Sequence, residues 1–388
     1  DVFCRYKTQK GYLVDRKAGW DTHGLPVELG VEKELGITKE DIGKSITVEE
    51  YNDACRTAVM RYTGIWKDLT DQMGYWVDMD KPYVTYEPKY MESVWWLLSQ
   101  LYKKGLIYKG YTIQPYSPKA GTGLSSHELN QPGCYQDVKD NTVVAQFKMI
   151  NNGQSEALFG AATVHFLAWT TTPWTLPSNT ALTVGPKIEY SLVHTFNQYT
   201  HEPVSIIAAT PLLGKLFGKK FVEGDTTSYE AGAKKIPYQI EKTVSGTDLV
   251  GLKYEQLMPY ALPNERPEDA FRIIPGDFVT TEDGTGIVHT APTFGADDAK
   301  VAADAGVPPL LVKDEQGNLV PLVDLRGKFR PELADSMFGF GEEYIKAEYL
   351  TEEEKEEELA KQQALLKPII PELKAYLSVD ERIALKLK

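Results

Sequence analysis

Three stretches of the chain gather residue types that can do chemistry. In Trp169-Thr170-Thr171-Thr172-Pro173-Trp174-Thr175-Leu176-Pro177-Ser178-Asn179, consecutive threonines end a β-type run. A hydroxyl both donates and accepts, so such a row suits ribose hydroxyls and an ordered water. Two hydroxyls act jointly only from one face, which a period of two grants to Thr170 and Thr172; Thr171 points elsewhere unless a bend at Pro173 re-aims it. The plainer reading is that threonine is a good strand former. In Gly284-Thr285-Gly286-Ile287-Val288-His289-Thr290-Ala291-Pro292-Thr293-Phe294-Gly295-Ala296-Asp297-Asp298, a histidine, two threonines and two aspartates within the last ten residues crowd a strand–loop–helix junction. A carboxylate there can hold a substrate ammonium, or it can cap the helix that Ala299-Lys300 would begin. A metal site finds little support, because no second His or Cys sits at ligand spacing. In Gly19-Trp20-Asp21-Thr22-His23-Gly24-Leu25-Pro26-Val27-Glu28, Asp21 and His23 flank a tight turn before a helix start. Such a place can bind an ammonium or an anion, and a structural turn with a capping Asp explains the same residues.

These stretches need elements to hold them. From about residue 141 to 339 the pattern is short β-type runs between turns, at 142–150, 163–169, 181–184, 190–195, 204–208 and within 271–289. That pattern predicts a β-rich, barrel-like domain. Before it the texture is α/β. A short strand is expected at 12–14 and a helix at 26–35. Thr47 and Glu50 read as a capping box opening a helix that runs to about Gly74. A further helix over 91–104 carries the stripe Val94, Leu97, Leu98 and Leu101 and stops at Gly105. Short strands are expected at 107–111 and 113–116. At the far end, 342–366 and 379–387 read as helices. The fold class is therefore α/β, with an α/β domain over 1–142 followed by a β-rich domain over 143–388.

Composition narrows the field. With 388 residues, 42% of them hydrophobic and 25% charged, the chain can build two or three cores. No apolar run approaches the ~18 residues that a membrane-spanning helix needs. Cys4, Cys55 and Cys134 form no CxxC pair and are odd in number, which points to reduced thiols in the cytoplasm. A net charge of -13 argues against a generally basic nucleic-acid binder, although a large acidic protein can carry one basic face. The opening DVFCRYKTQK has neither Met nor an apolar signal region, so the chain is expected to be part of something longer.

Taken in order, the three stretches resemble the class I isoleucyl-tRNA synthetases over most of the chain. GWDTHGLPVE resembles the signature of that family's nucleotide-binding fold. WTTTPWTLPSN and GTGIVHTAPTFGADD resemble two signatures of its editing domain. Gly246-Thr247-Asp248-Leu249-Val250-Gly251-Leu252 with Tyr254 resembles a further stretch of such domains. Valyl and leucyl relatives carry Arg-Pro-Glu-Thr or Arg-Pro-Asp-Thr runs where this chain has Thr172-Pro173-Trp174-Thr175.

The resemblance implies that 1–142 is part of a Rossmann-type catalytic domain and 143–388 an editing domain. HIGH-type and KMSKS-type motifs are absent, so ATP and Mg would serve only the full-length parent and the fragment itself would use no cofactor. The implied reaction is hydrolysis of valine from tRNA(Ile). One apolar pocket discriminates poorly by a single methylene, the isoleucine/valine pair of this family being the standard instance. By residue-wise resemblance, Asp298 would hold the α-ammonium, with Asp297 the weaker candidate. Thr171 and Thr172 would contact the terminal adenosine and place the water, with Thr170 beside them. His289 would shape the side-chain pocket with Thr290 next to it, and Trp174 and Asn179 would support the loop or the adenine. Asp21 and His23 would be remnants of the synthetic site. Two rivals stay open: an inert fragment that needs missing tRNA-binding parts, and a valyl-type editing domain.

Overall fold

The computed structural model describes residues 1–110 and 112–388. The chain divides between Tyr111 and Thr112 into two compact units.

In the first unit two parallel strands, β1 (Lys17–Trp20) and β2 (Asp78–Val84), pair from Lys17↔Asp78 to Trp20↔Val84. Around them lie α1 (Val2–Gln9), α2 (Leu25–Leu35), α3 (Val48–Met60), α4 (Thr63–Gln72) and α5 (Pro88–Lys103). A Cβ at Gly19 would lie 2.1 Å from the end of the exposed Tyr83 ring, which would have to swing aside. The expected strand at 12–14 is displaced to β1. The capping box at Thr47 and Glu50 forms on both sides, but the helix it opens breaks at Arg61 and Tyr62, where Arg61 turns to grip both oxygens of Glu34. The stripe Val94, Leu97, Leu98 and Leu101 sits on α5 as expected and remains exposed. Residues 107–110 form no strand, and Tyr111, the last position of that expectation, lies outside the described residues.

The second unit is a mixed α/β structure built on one large mixed sheet. It opens with a small hairpin, β3 (Tyr116–Ser117) and β4 (Thr122–Gly123), and a turn of helix, α6 (Ser126–Leu129). The sheet contains β5 (Val143–Lys148), β6 (Val164–Thr170), β7 (Ala181–Val184), β8 (Glu189–Phe196), β9 (Pro203–Ala209), β10 (Phe221–Glu223), β11 (Ile236–Ser245), β12 (Arg272–Pro275) and β13 (Ile287–Thr290). Between them lie α7 (Gly153–Phe159), α8 (Leu213–Phe217) and α9 (Gly246–Leu249). After them come α10 (Ala296–Asp304), the pair β14 (Val312–Lys313) and β15 (Leu319–Val320), α11 (Glu352–Leu365) and α12 (Val379–Lys386).

Part of this sheet returns on itself. β5 pairs with β6, β6 with β13, β13 with β7 and β7 with β12. Lys253 then bridges β12 at Arg272, and Tyr254 bridges Met149 at the end of β5. Backbone bonds from Tyr254 N–H to Phe271 at 3.0 Å and from Ile150 N–H to Lys253 at 2.8 Å complete the ring. Its interior is filled by Phe147, Phe166, Leu182, Ile273 and Tyr254, as period-two alternation requires of a half-buried strand. β9, β8, β11 and β10 leave the ring from the first half of β6. The end of β6 is thus where the sheet forks, and the threonine row sits there.

Two boundaries differ from expectation. Residues 112–142 group with the second unit, and β5 begins at Val143. The helix expected over 342–366 starts only at Glu352, because Thr351 and Glu354 form the capping box that opens it, while Glu342 is left-handed and Tyr344 bridges Lys328. The last expected helix is α12.

Candidate functional site

A cavity of about 420 Å³ opens at the fork. Trp169, Thr170, Thr171, Thr172 and Thr175 line one wall, residues 284–289 of the β13 region another, and Phe294, Gly295 and Asp298 a third.

The threonines obey the two-residue period. Thr170 and Thr172 share a face: the Thr172 backbone N–H donates to Thr170 Oγ1 at 3.0 Å and the two hydroxyl oxygens lie 3.4 Å apart. Thr170 is buried, whereas Thr171 is exposed and also lines the cavity. The chain then turns into a 3-10 helix, Pro173–Ser178. Thr175 on that helix donates its hydroxyl to the Thr172 carbonyl at 2.8 Å.

Behind the threonines runs a buried chain of hydrogen bonds whose direction is fixed. Asn179 Nδ2 lies 2.8 Å from the Ala181 carbonyl, which only accepts, so the amide is oriented with its nitrogen there. Its Oδ1 must then accept from the Tyr254 hydroxyl at 2.6 Å. The same Nδ2 donates to His289 Nδ1 at 2.8 Å, which leaves the imidazole proton on Nε2. Nε2 donates in turn to Thr175 Oγ1 at 2.9 Å. His289 is 7% exposed, and burial lowers its pKa to about 4, so the ring is neutral at physiological pH. Both nitrogens are engaged, so the ring meets the cavity as a wall rather than as a base.

Asp298 occupies the first turn of α10, folded back so that Oδ2 accepts from the Ala291 N–H at 2.8 Å. Gly295 makes room for that fold, since a Cβ there would lie 2.8 Å from Asp298 Cγ. The other carboxylate oxygen has no protein donor among the described residues. Burial pushes the Asp298 carboxyl above the ordinary range, the Ala291 N–H opposes this, and the charge of Asp297 adds to it. Asp297 is exposed and does not line the cavity.

The model of tRNA synthetases class I (I, L, M and V) matches residues 1–364 of this chain. The chain belongs to the class I tRNA synthetases. An isoleucine–tRNA ligase of Cytophaga hutchinsonii is 60% identical over 388 residues, which is 100% of this chain and 33% of that protein. One of Bacteroides fragilis is 65% identical over 329 residues, 85% of this chain and 28% of that protein. One of Clostridium tetani is 45% identical over 325 residues, covering 84% and 28% respectively. The chain spans about a third of the length of the curated relatives it matches. Among solved structures, the crystal structure of GlLeuRS-CP1 aligns over 47% of this chain and 70% of that one at 20% identity, with a TM-score of 0.32.

Several residues singled out in this synthetase chain lie away from the cavity. Trp174, Asn179 and Thr290 do not line it. Trp174 packs edge-on against Phe294 at 5.0 Å, Asn179 orients His289, and the Thr290 hydroxyl meets that of Thr183 at 2.6 Å on the face of β7 and β13 opposite Leu182 and His289. Strand alternation turns Thr290 to the face opposite His289, and the 3-10 turn carries Trp174 and Asn179 off the cavity lining into supporting positions. In the first unit, Asp21 and His23 stand exposed between β1 and α2, and His23 Nδ1 lies 3.2 Å from the Thr85 hydroxyl. Phe278, Thr280 and Asp283 line the cavity and were not foreseen. Their loop directly precedes the Gly284-Thr285-Gly286 signature, and that adjacency was the available signal. Tyr254, quoted in a signature but given no role, anchors the buried chain.

Proposed function

We propose that the second unit is the hydrolytic editing domain of an isoleucyl-tRNA synthetase, removing valine from misacylated tRNA(Ile). The observation that carries this reading is the single cavity uniting the threonine row, a neutral buried His289 and the open oxygen of Asp298. In this reading Asp298 binds the α-ammonium through a charge-assisted bond in a partly dry site. Thr171 and Thr172 hold the terminal ribose and the attacking water, with Thr170 fixing the backbone between them. His289 closes the side-chain pocket against the larger isoleucine. Because both His289 nitrogens are engaged, the water is aligned and polarised by hydroxyls and backbone N–H groups, and the rate comes from positioning.

The remaining features follow from the same reading. The first unit contributes part of a Rossmann-type catalytic domain, with Asp21 and His23 beside its amino-acid site. The parent enzyme, working in the cytoplasm, would join isoleucine to tRNA(Ile) with ATP and Mg. The described residues contain no group of three or more His, Cys, Asp or Glu able to hold a metal, and no step here passes through one. No described helix is long and apolar enough to cross a membrane.

The test is deacylation of valyl-tRNA(Ile) beside isoleucyl-tRNA(Ile), with Asp298→Ala as control. Faster loss of valine, abolished by the substitution, is expected. A folded chain that releases neither amino acid would make the inert-fragment reading the correct one.

A further inference from the structure

The 3-10 helix that follows the threonine row begins without a cap of its own. Thr172 stands at its N-cap and makes no side-chain capping bond, and the first N–H groups of any helix need partners from outside. Pro173 has no N–H, so Trp174 is the first residue with one to satisfy. Its partner comes from the far end of the chain: Trp174 N–H donates to Asp380 Oδ1 at 2.8 Å, across 206 positions.

Asp380 is 2% exposed and lies in the first turn of α12, behind the Ser378 cap. Two helix N-termini therefore meet at one carboxylate and, with Lys346, oppose the burial that raises its pKa. Its other oxygen accepts from Lys346 Nζ at 3.0 Å, and the same ammonium holds Asp140 Oδ2 at 2.6 Å. Asp140 lies just before β5. One lysine thus ties together the segment leading into the barrel, the last helix and, through Asp380, the backbone beside Thr172.

We propose that Asp380 is a positioning residue for the hydrolytic site, capping the 3-10 helix from outside and so fixing where the Thr172 hydroxyl and backbone stand in the cavity. Lys346 is the tether that holds Asp380 to this task. The inference rests on the deacylase reading for its functional half. Its structural half, the clamp on Trp174, stands on the geometry alone.

The experiment uses the full chain and two readouts. Hydrogen–deuterium exchange is followed at the Trp174 and Thr175 amides, and steady-state deacylation is measured on valyl-tRNA(Ile). Asp380→Ala is expected to speed exchange at Trp174 and to lower kcat roughly ten- to hundredfold with KM nearly unchanged, as displaced catalytic groups do. Asp380→Asn, which keeps an oxygen for Trp174, is expected to recover much of both. A folded Asp380→Ala chain with wild-type exchange at Trp174, or with wild-type kcat, overturns the proposal. Should Asp380→Ala fail to fold, Lys346→Met decides: it keeps the carboxylate, loses the tether and must still speed exchange at Trp174, and unchanged exchange overturns the clamp. A wild-type chain that hydrolyses nothing overturns the deacylase reading alone, and the exchange result then judges the clamp by itself.

Discussion

Replacing Tyr254 by Phe removes one buried hydroxyl and leaves one buried acceptor, the Asn179 Oδ1, without its donor. Tyr254 is 1% exposed, and its hydroxyl lies 2.6 Å from that oxygen. No water can replace the lost donor without opening the barrel, so the cost is that of an unsatisfied buried amide oxygen, about 1–3 kcal/mol. For a unit of this size each kcal/mol lowers the melting temperature by roughly 2–4 °C, so a fall on the order of 5 °C is expected. Tyr260→Phe is the internal standard. Its hydroxyl donates to Asp335 Oδ2 at 2.7 Å, but that carboxylate keeps Lys386 at 2.9 Å and the Met337 and Phe338 N–H groups, each at 2.9 Å. The expected order is therefore a larger loss for Tyr254→Phe than for Tyr260→Phe, read by calorimetry on both variants. Nitrogen NMR of the wild-type chain supplies the direct check, with the His289 proton on Nε2. A proton found on Nδ1, or a Tyr254→Phe loss no larger than that of Tyr260→Phe, would refute the directed chain of hydrogen bonds.

Three further outcomes are expected. The His289 pKa is about 4 in the folded chain against roughly 6.5 unfolded. The unfolded state therefore binds more protons between those values, and His289 contributes stability that is complete above pH ~6.5 and lost as pH falls towards 4, up to about 3 kcal/mol; urea unfolding across that window should show the slope, and His289→Asn should flatten it. Asp298→Asn should weaken a non-hydrolysable valyl-adenosine analogue about 10- to 100-fold, the worth of a charge-assisted bond. With wild type, titration calorimetry should show the affinity beginning to fall at a higher pH than an ordinary carboxyl would give, because burial raises the Asp298 pKa. Gly286→Ala should destabilise the second unit by about 2 kcal/mol or more, since φ is +73° there and a Cβ would sit 2.3 Å from the Ala209 Cβ; a melting temperature equal to wild type would count against the fork geometry.

What the chain reveals before folding is whatever depends on neighbours in sequence. The shared face of Thr170 and Thr172 follows from strand alternation, and the capping boxes at Thr47 and Thr351 follow from a serine or threonine three residues before a glutamate. The choice between Asp297 and Asp298 is not of that kind. It turns on Gly295 letting one carboxylate fold back to Ala291, which local pattern does not disclose. Phe278 and Asp283 line the cavity from the loop before Gly284, and Tyr254 and Asp380 act behind its wall, through bridges to Asn179 and Trp174 spanning 75 and 206 positions. The grip of Arg61 on Glu34, beside the break of the long helix, likewise joins residues of two helices that local pattern does not pair.

These long-range bridges bear directly on how the cavity could discriminate. A pocket that accepts valine and rejects isoleucine must refuse a single methylene, and a wall that yields by half an ångström would admit it. His289 cannot be such a yielding wall. Its ring is pinned at both nitrogens, and the pin at Nδ1 runs through Asn179 to two further fixed points, the Ala181 carbonyl and the Tyr254 hydroxyl. Tyr254 is also the residue whose bridge to Met149 completes the ring. The rigidity of the wall is thus tied to the closure of the barrel. Loosening the bridge at Tyr254 should therefore relax the discrimination proposed for this pocket before it abolishes hydrolysis, since Asp298 is held by its own contact at Ala291, and the backbone after the threonine row, although linked to His289 through Thr175, is also clamped at Trp174 by Asp380.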